Sequence, residues 1–226
     1  MKKRLLSLIM AVMMVVVLVV PAAAATTDTT SNGTVTVYVT YGMFTEGGYD
    51  ADAKAPVQQE YNGTGLPTSD KINANFYINA YTLSISSIEA DYMETTQGLY
   101  GVPDTSVSYF KTPNLVDAIL AAFFENGIDI TDPNVVSAGW DDHPVVGNPG
   151  GYIHSVSPDA PTYKKTIQRT VDGVLYNIYS GSGWNIACGT SASNIKALDA
   201  YGTSTALTDG MIIVFDYSPY MIYDVL

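Results

Sequence analysis

Residues 34–40 read Thr-Val-Thr-Val-Tyr-Val-Thr, alternating polar and apolar side chains. This period of two predicts a strand with one buried face. Residues 42–67 hold no period and are rich in Gly, Asn, Asp and Pro, which reads as a long excursion. Residues 76–85 suit one or two strands, 88–100 fit neither period, and 106–110 suit another strand.

Residues 113–126 are the one clear helix. Leu115, Val116, Ile119, Leu120, Phe123 and Phe124 follow helical spacing. Thr112 or Asn114 can cap its start, Pro113 suits the first turn, and Gly127 is placed to end it. Residues 135–151 read as a loop and 152–156 as a short strand. Residues 166–170 and 174–179 form a hairpin around Val171-Asp172-Gly173. Trp184, Ile186 and Cys188 alternate with smaller residues, which turns Cys188 inward. Asp209-Gly210 is a turn feeding the apolar run 211–215, a central strand. One helix among several strands predicts an α+β domain. Residues 221–226 suit an added edge strand or a docking segment.

The first 25 residues differ from the rest. Lys2, Lys3 and Arg4 precede an apolar run from Leu5 to Val20, then Pro21 and four alanines. This is the pattern of a secretory signal peptide cleaved after Ala25, with an uncleaved membrane anchor as the alternative. A polar leader follows at 26–32, and 33–226 reads as a single domain with an insertion at about 42–105. The expected location is therefore secreted or at the cell surface through the Sec pathway, with no transmembrane helix after cleavage.

Composition sharpens this. The 226 residues hold 10 Lys+Arg against 22 Asp+Glu, a net charge of −12. Cleavage removes three basic residues and no acidic one, leaving 7 against 22, or −15. Such an acidic chain is not expected to bind nucleic acid, which needs a basic surface. The single Cys excludes an internal disulfide and any zinc site of several cysteines. The 47% hydrophobic content is enough for a core.

Four segments come in a telling order. Gly33-Thr34-Val35-Thr36-Val37 is followed by Leu115-Val116-Asp117-Ala118-Ile119 and then by Gly151-Tyr152-Ile153-His154-Ser155-Val156. Gly183-Trp184 then leads to Leu207-Thr208-Asp209-Gly210-Met211-Ile212. The series resembles the transcobalamin-like C-terminal domain family, DUF4430 in bacterial secreted proteins, over about 33–41 and 106–217. The resemblance implies a β-grasp-like mixed sheet packed on one main helix at about 113–126, with a long β/loop insertion after the first strand. Two positions depart from the family. Asn185-Ile186-Ala187-Cys188-Gly189 stands where the family often has a Val-Asn-Gly turn, and Met211 where it often has a second Asp. In the vertebrate cobalamin carriers such a domain closes one side of the vitamin while an α/α-barrel holds the other. The resemblance thus implies cobalamin only with a partner domain, and no cofactor is otherwise expected.

Candidate chemistry is sparse. Cys188 with His143 or His154 would make a thiol enzyme, but an apolar setting raises a thiol pKa and suits plain core packing. Asp50 with Asp52, Asp129 with Asp132, and Asp141 with Asp142 are oxygen-rich, yet no twelve-residue calcium loop is present. They read as turn carboxylates, and no metal is expected. Aromatic residues in loop-rich regions, including Tyr41, can form a platform for a carbohydrate or protein ligand. Trp140, Tyr152, Trp184, Tyr49 and Tyr61 are the candidate binding residues. The sequence reads as a secreted or cell-surface non-catalytic binding module, its specificity placed in the insertion.

Overall fold

Val35, Val37 and Val39 are at most 1% exposed. That burial sets the inner face of strand β1 (Thr34–Tyr41), as its alternation requires. A computed structural model describes residues 33–73, 76–99, 112–141, 150–156, 163–198 and 202–226. It gives the backbone alone for 71–73, 76, 77, 140, 141, 150–152, 154 and 163. The segments read as signal peptide and leader, and the strand expected at 106–110, lie outside the described residues.

β1 is followed by two short hairpins, β2 (Gly48–Asp50) with β3 (Ala55–Val57), and β4 (Lys71–Asn73) with β5 (Phe76–Tyr77). β6 (Tyr81–Ser84) then pairs antiparallel with β1. A sheet strand therefore lies within the segment read as an insertion.

Helix α1 follows directly. It is α-helical over Ile85–Ser87, π-helical over Ile88–Tyr92 and α-helical again over Met93–Leu99. This corrects the reading of a single helix. Ile85, Ile88, Tyr92 and Leu99 all pack on the core, but polar residues among them mask the helical period.

Helix α2 (Leu115–Glu125) lies inside the predicted range. The Asn114 side chain accepts from the N–H groups of Val116 and Asp117, and the Asp117 carboxylate accepts from the Asn114 N–H in return. This capping box leaves Pro113 just outside the helix. At the far end Gly127 takes φ +79°, and the N–H groups of Gly127 and Ile128 bond to Phe124 and Phe123 carbonyls. That double bond is a Schellman cap. Residues 115–123 are all buried, so the helix is covered around its whole circumference.

Residues 136–141 and 150–151 correct the loop reading, while 152–156 are strand as expected. β7 (Val136–Asp141) and β8 (Gly150–Val156) pair antiparallel, with Val136, Ile153 and Val156 in the core. β9 (Tyr163–Val171) and the 16-residue β10 (Val174–Gly189) make the predicted hairpin. Asp172 and Gly173 at its turn have φ of 50° and 84°, as a two-residue turn of this hand demands. β11 (Lys196–Ala197) and β12 (Met211–Val225) complete the sheet.

The strand order is β11-β10-β12-β1-β6, with β9 also on β10. β1 and β12 are central and parallel, and the other neighbours are antiparallel. This α+β architecture has the first and last strands side by side beneath a helix, the β-grasp arrangement.

β12 continues ten residues beyond the predicted 211–215 run, through Pro219. Proline lacks the N–H a ladder needs and is confined to places without a neighbour on that side. Such a place exists here. β1 ends at Tyr41, where the Gly42 N–H still bonds Tyr217 O, and pairing resumes only at Met221 N–H to Glu46 O. Pro219 falls in the gap, its carbonyl accepting from Gln59 Nε2.

Candidate functional site

The face of the sheet that carries α2 extends past the helix as a row of aromatic rings. Tyr41, Tyr217 and Trp184 are register neighbours on β1, β12 and β10. Two residues behind Tyr217, on the same face, Phe215 touches Phe123 of α2 with ring centroids 5.8 Å apart. Trp184 stacks on Phe215 and meets Tyr217 at 5.3 Å and Tyr41 at 6.2 Å. The row thus stands on a rigid base of core aromatics.

In this row the Trp184 indole Nε1 and the Tyr41 hydroxyl are buried with no hydrogen-bond partner among the described residues. Leaving such a group unmade typically costs about 1–3 kcal/mol. Burial, then the nearby Asp70 carboxylate, pushes the Tyr41 hydroxyl pKa up to about 12. Burial also raises Tyr217, against the pull of its bond to Ser182. These phenols hold their protons across the physiological range and can donate to an acceptor.

The opposite face is covered by the chain that follows β1. Asp216, fully buried, accepts from Thr40 Oγ1 at 2.6 Å, from the Met43 N–H at 3.2 Å and from the Ser218 hydroxyl. Ser218 Oγ in turn accepts from the Phe44 N–H. This network pins residues 43 and 44 over β12. Phe44 packs edge-on against Tyr61 at 5.5 Å, above Val214 and Ala187. The Tyr61 hydroxyl is also buried without a partner, and burial with the Asp216 charge raises its pKa.

Tyr49, on β2, sits elsewhere. Its ring lies 6.0 Å from Tyr176 and 5.5 Å from Tyr223, and its hydroxyl donates to Asp172 at 2.8 Å. Desolvation and that bond push its pKa up to about 12. Tyr49 thereby ties the β2–β3 hairpin to the tip of the β9–β10 hairpin.

The five predicted binding residues are thus not one site. Trp184, Tyr61 and Tyr49 occupy three separate settings. Trp140 and Tyr152 lie on the β7–β8 hairpin, where Trp140 pairs Gly151 and Gly139 pairs Tyr152, and their side chains lie outside the described residues. The apolar run 211–215 ends two residues short of Tyr217. Continuing its period of two by one step would have reached it.

Cys188 sits on the helix-side face among core residues, and burial pushes its thiol pKa up. His143 and the His154 side chain lie outside the described residues. Asp50 accepts from the Asp52 and Ala53 N–H groups, Asp129 from Thr131 and Asp132 from Asn134. These carboxylates do turn work, as expected. The Asp141 side chain and Asp142 lie outside the described residues. Among the described residues no group of three His, Cys, Asp or Glu side chains is placed to hold a metal ion, and no helix is long and apolar enough to cross a membrane. A cavity of about 390 Å³ opens between β3 and the end of β12, lined by Pro56, Val57, Leu198, Met221 and Tyr223 among others. Among the described residues that line it, Tyr223 alone is ionisable.

No protein-family model, curated protein or solved structure matches this chain.

Proposed function

We propose that this chain is a non-catalytic binding module of an exported bacterial protein, its ligand seated on the Tyr41–Tyr217–Trp184 row. The observation that carries the reading is the buried, unpartnered indole N–H of Trp184 beside the equally unpartnered hydroxyl of Tyr41. Buried polar atoms without partners are uncommon in native proteins and call for a specific reason. A ligand with an apolar body and hydroxyl or carbonyl oxygens supplies one, and neutral oligosaccharides have that character. Export rests on the pattern of residues 1–25.

Calorimetric titration of the secreted chain with maltohexaose, cellohexaose and chitohexaose tests this. The expected result is saturable binding to at least one, lost in Trp184→Phe, which keeps a ring and removes the N–H, and weakened in Tyr41→Phe. Binding to none, or binding that both variants retain, overturns it.

The strand order β6-β1-β12-β10 around α2 favours a second reading, a corrinoid-binding module completed by a partner domain. It is also what supports the resemblance to transcobalamin-like domains. Titration with cobalamin, with and without candidate partner domains, tests it through the corrin absorption spectrum. The thiol-enzyme reading draws no support from Cys188, whose raised pKa works against a thiolate.

A further inference from the structure

Beyond the aromatic row, β9, the first half of β10 and the last third of β12 form a three-stranded arm. β9 is its outer strand. Among the described residues β9 pairs only with β10, so its other edge is open. Residues 164–170 are all exposed. Of the eight exposed large hydrophobics among the described residues, six lie on this arm or directly after it, among them Ile167, Ile222 and Val225. The β2–β3 hairpin covers part of one face through Tyr49, which packs on Tyr176 and Tyr223, while residues 164–170 of β9 stay exposed.

The side chains on β9 are ordered. Alternation puts Lys165, Ile167 and Arg169 on one face and Lys164, Thr166, Gln168 and Thr170 on the other. Lys164 is engaged over the Tyr179 ring at 5.4 Å. Lys165 and Arg169 have no carboxylate partner among the described residues. They flank Ile167, which is 42% exposed. The result is a cation–apolar–cation stripe along an open edge, in a chain with 22 acidic residues against 10 basic.

The same stripe selects the occupant. Two copies pairing antiparallel about Ile167 would set Lys165 opposite Arg169 twice. Like charges directly opposite destabilise a ladder, so the edge is guarded against a second copy. A strand with carboxylates at two positions four residues apart, and an apolar residue midway, meets the stripe with opposite charge and a matching apolar contact.

We propose that β9 is a docking edge for an extended acidic segment of a partner protein, added to the arm as a fourth strand by main-chain hydrogen bonding. Its recognition pattern is acidic, any, apolar, any, acidic, with the carboxylates on Lys165 and Arg169 and the apolar residue on Ile167. This is independent of the ligand on the aromatic row, and each can fail without the other.

The test uses the secreted chain and a labelled peptide, Thr-Thr-Glu-Thr-Val-Thr-Glu-Thr-Thr, followed by fluorescence anisotropy. Three comparisons accompany it: the peptide with both Glu replaced by Lys, the peptide N-methylated at alternate amides, and the K165E/R169E double variant. The acidic peptide should bind, more weakly as salt rises. N-methylation should abolish binding, because the added strand needs its N–H groups. The double variant should weaken binding about tenfold, the size expected for reversing two exposed cross-strand charge pairs. It should also gain affinity for the Lys peptide, and this exchange separates lost recognition from lost folding. Absence of binding by the acidic peptide, binding that survives N-methylation, or binding unchanged in the double variant overturns the proposal. So does binding of anionic phosphatidylglycerol vesicles through these residues in place of the peptide.

Discussion

The indole of Trp184 lies flat on the ring of Phe215, with centroids 4.4 Å apart and planes 3° from parallel. Phe215 is 1% exposed, so the indole rests on the core while its own N–H finds no partner. Packing and polarity pull in opposite directions in one side chain. Trp184→Ala should cost about 3 kcal/mol in urea unfolding, through lost packing. Trp184→Phe should stay within about 1 kcal/mol of the parent, since it keeps a ring and removes an unmet donor. A large loss in Trp184→Phe would show that the N–H is bonded in the folded chain.

Asp216 holds Thr40, Ser218 and the Met43 N–H from a fully buried position. Asp216→Ala leaves those donors unmet and should cost about 3 kcal/mol, as hydrogen bonds to a charged group are among the stronger ones. Limited proteolysis should then cut first within residues 43–62, the segment the carboxylate pins. A variant as stable and as protease-resistant as the parent would remove that role.

Stability should fall in alkali. Tyr41 and Tyr49 are pushed up to about 12, and Tyr61, Tyr81 and Tyr217 are raised as well. A folded pKa above the unfolded value of 10 favours the protonated, folded state. That contribution is complete below pH 10 and is lost as pH climbs through the folded pKa. Urea midpoints should therefore decline from about pH 10 upward. Tyr49→Phe should flatten the decline. Phenolate absorbance should show a subset of the tyrosines ionising late in the folded chain and together once it is unfolded.

Cys188 should label slowly. Burial raises its thiol pKa, so little thiolate is available to attack iodoacetamide at pH 8. The rate in the folded chain should be at least about tenfold below that in 6 M guanidinium. Equal rates would place the thiol in solvent. Cys188→Ala should keep the fold and every binding property proposed for the chain.

How legible each part was follows from the range of the interaction behind it. The alternation of Val35, Val37 and Val39, the Asn114 and Gly127 caps and the Asp172-Gly173 turn obey rules that act within a few residues. They stand where the sequence places them. The helix at 85–99 escaped because its inward face mixes isoleucines with Tyr92 and Thr96, the latter buried by bonding to Asp117 across a gap of 21 residues. β7 and the first residues of β8 read as a loop because of the glycines and prolines between Val136 and Ile153, while 152–156 reads as the strand it is. Among the described residues, Trp184 alone of the five candidate binding residues belongs to the row, joined there by Tyr41 from the wider set of loop-region aromatics. Its partners Tyr41 and Tyr217 lie more than thirty residues from it, on strands whose register no local rule reveals.

The α+β class, the main helix with its caps, the turns, and the acidic character of a chain headed by an export-like segment are legible in the residues alone. Those follow from backbone preference and side-chain period. Which rings form one row, why Pro219 can sit inside β12, that Asp216 is a buried clamp, and that β9 has an edge unpaired among the described residues emerge only once the strands lie side by side. Each of these depends on which strand lies alongside, a contact made across dozens of residues that nearest-neighbour chemistry does not encode.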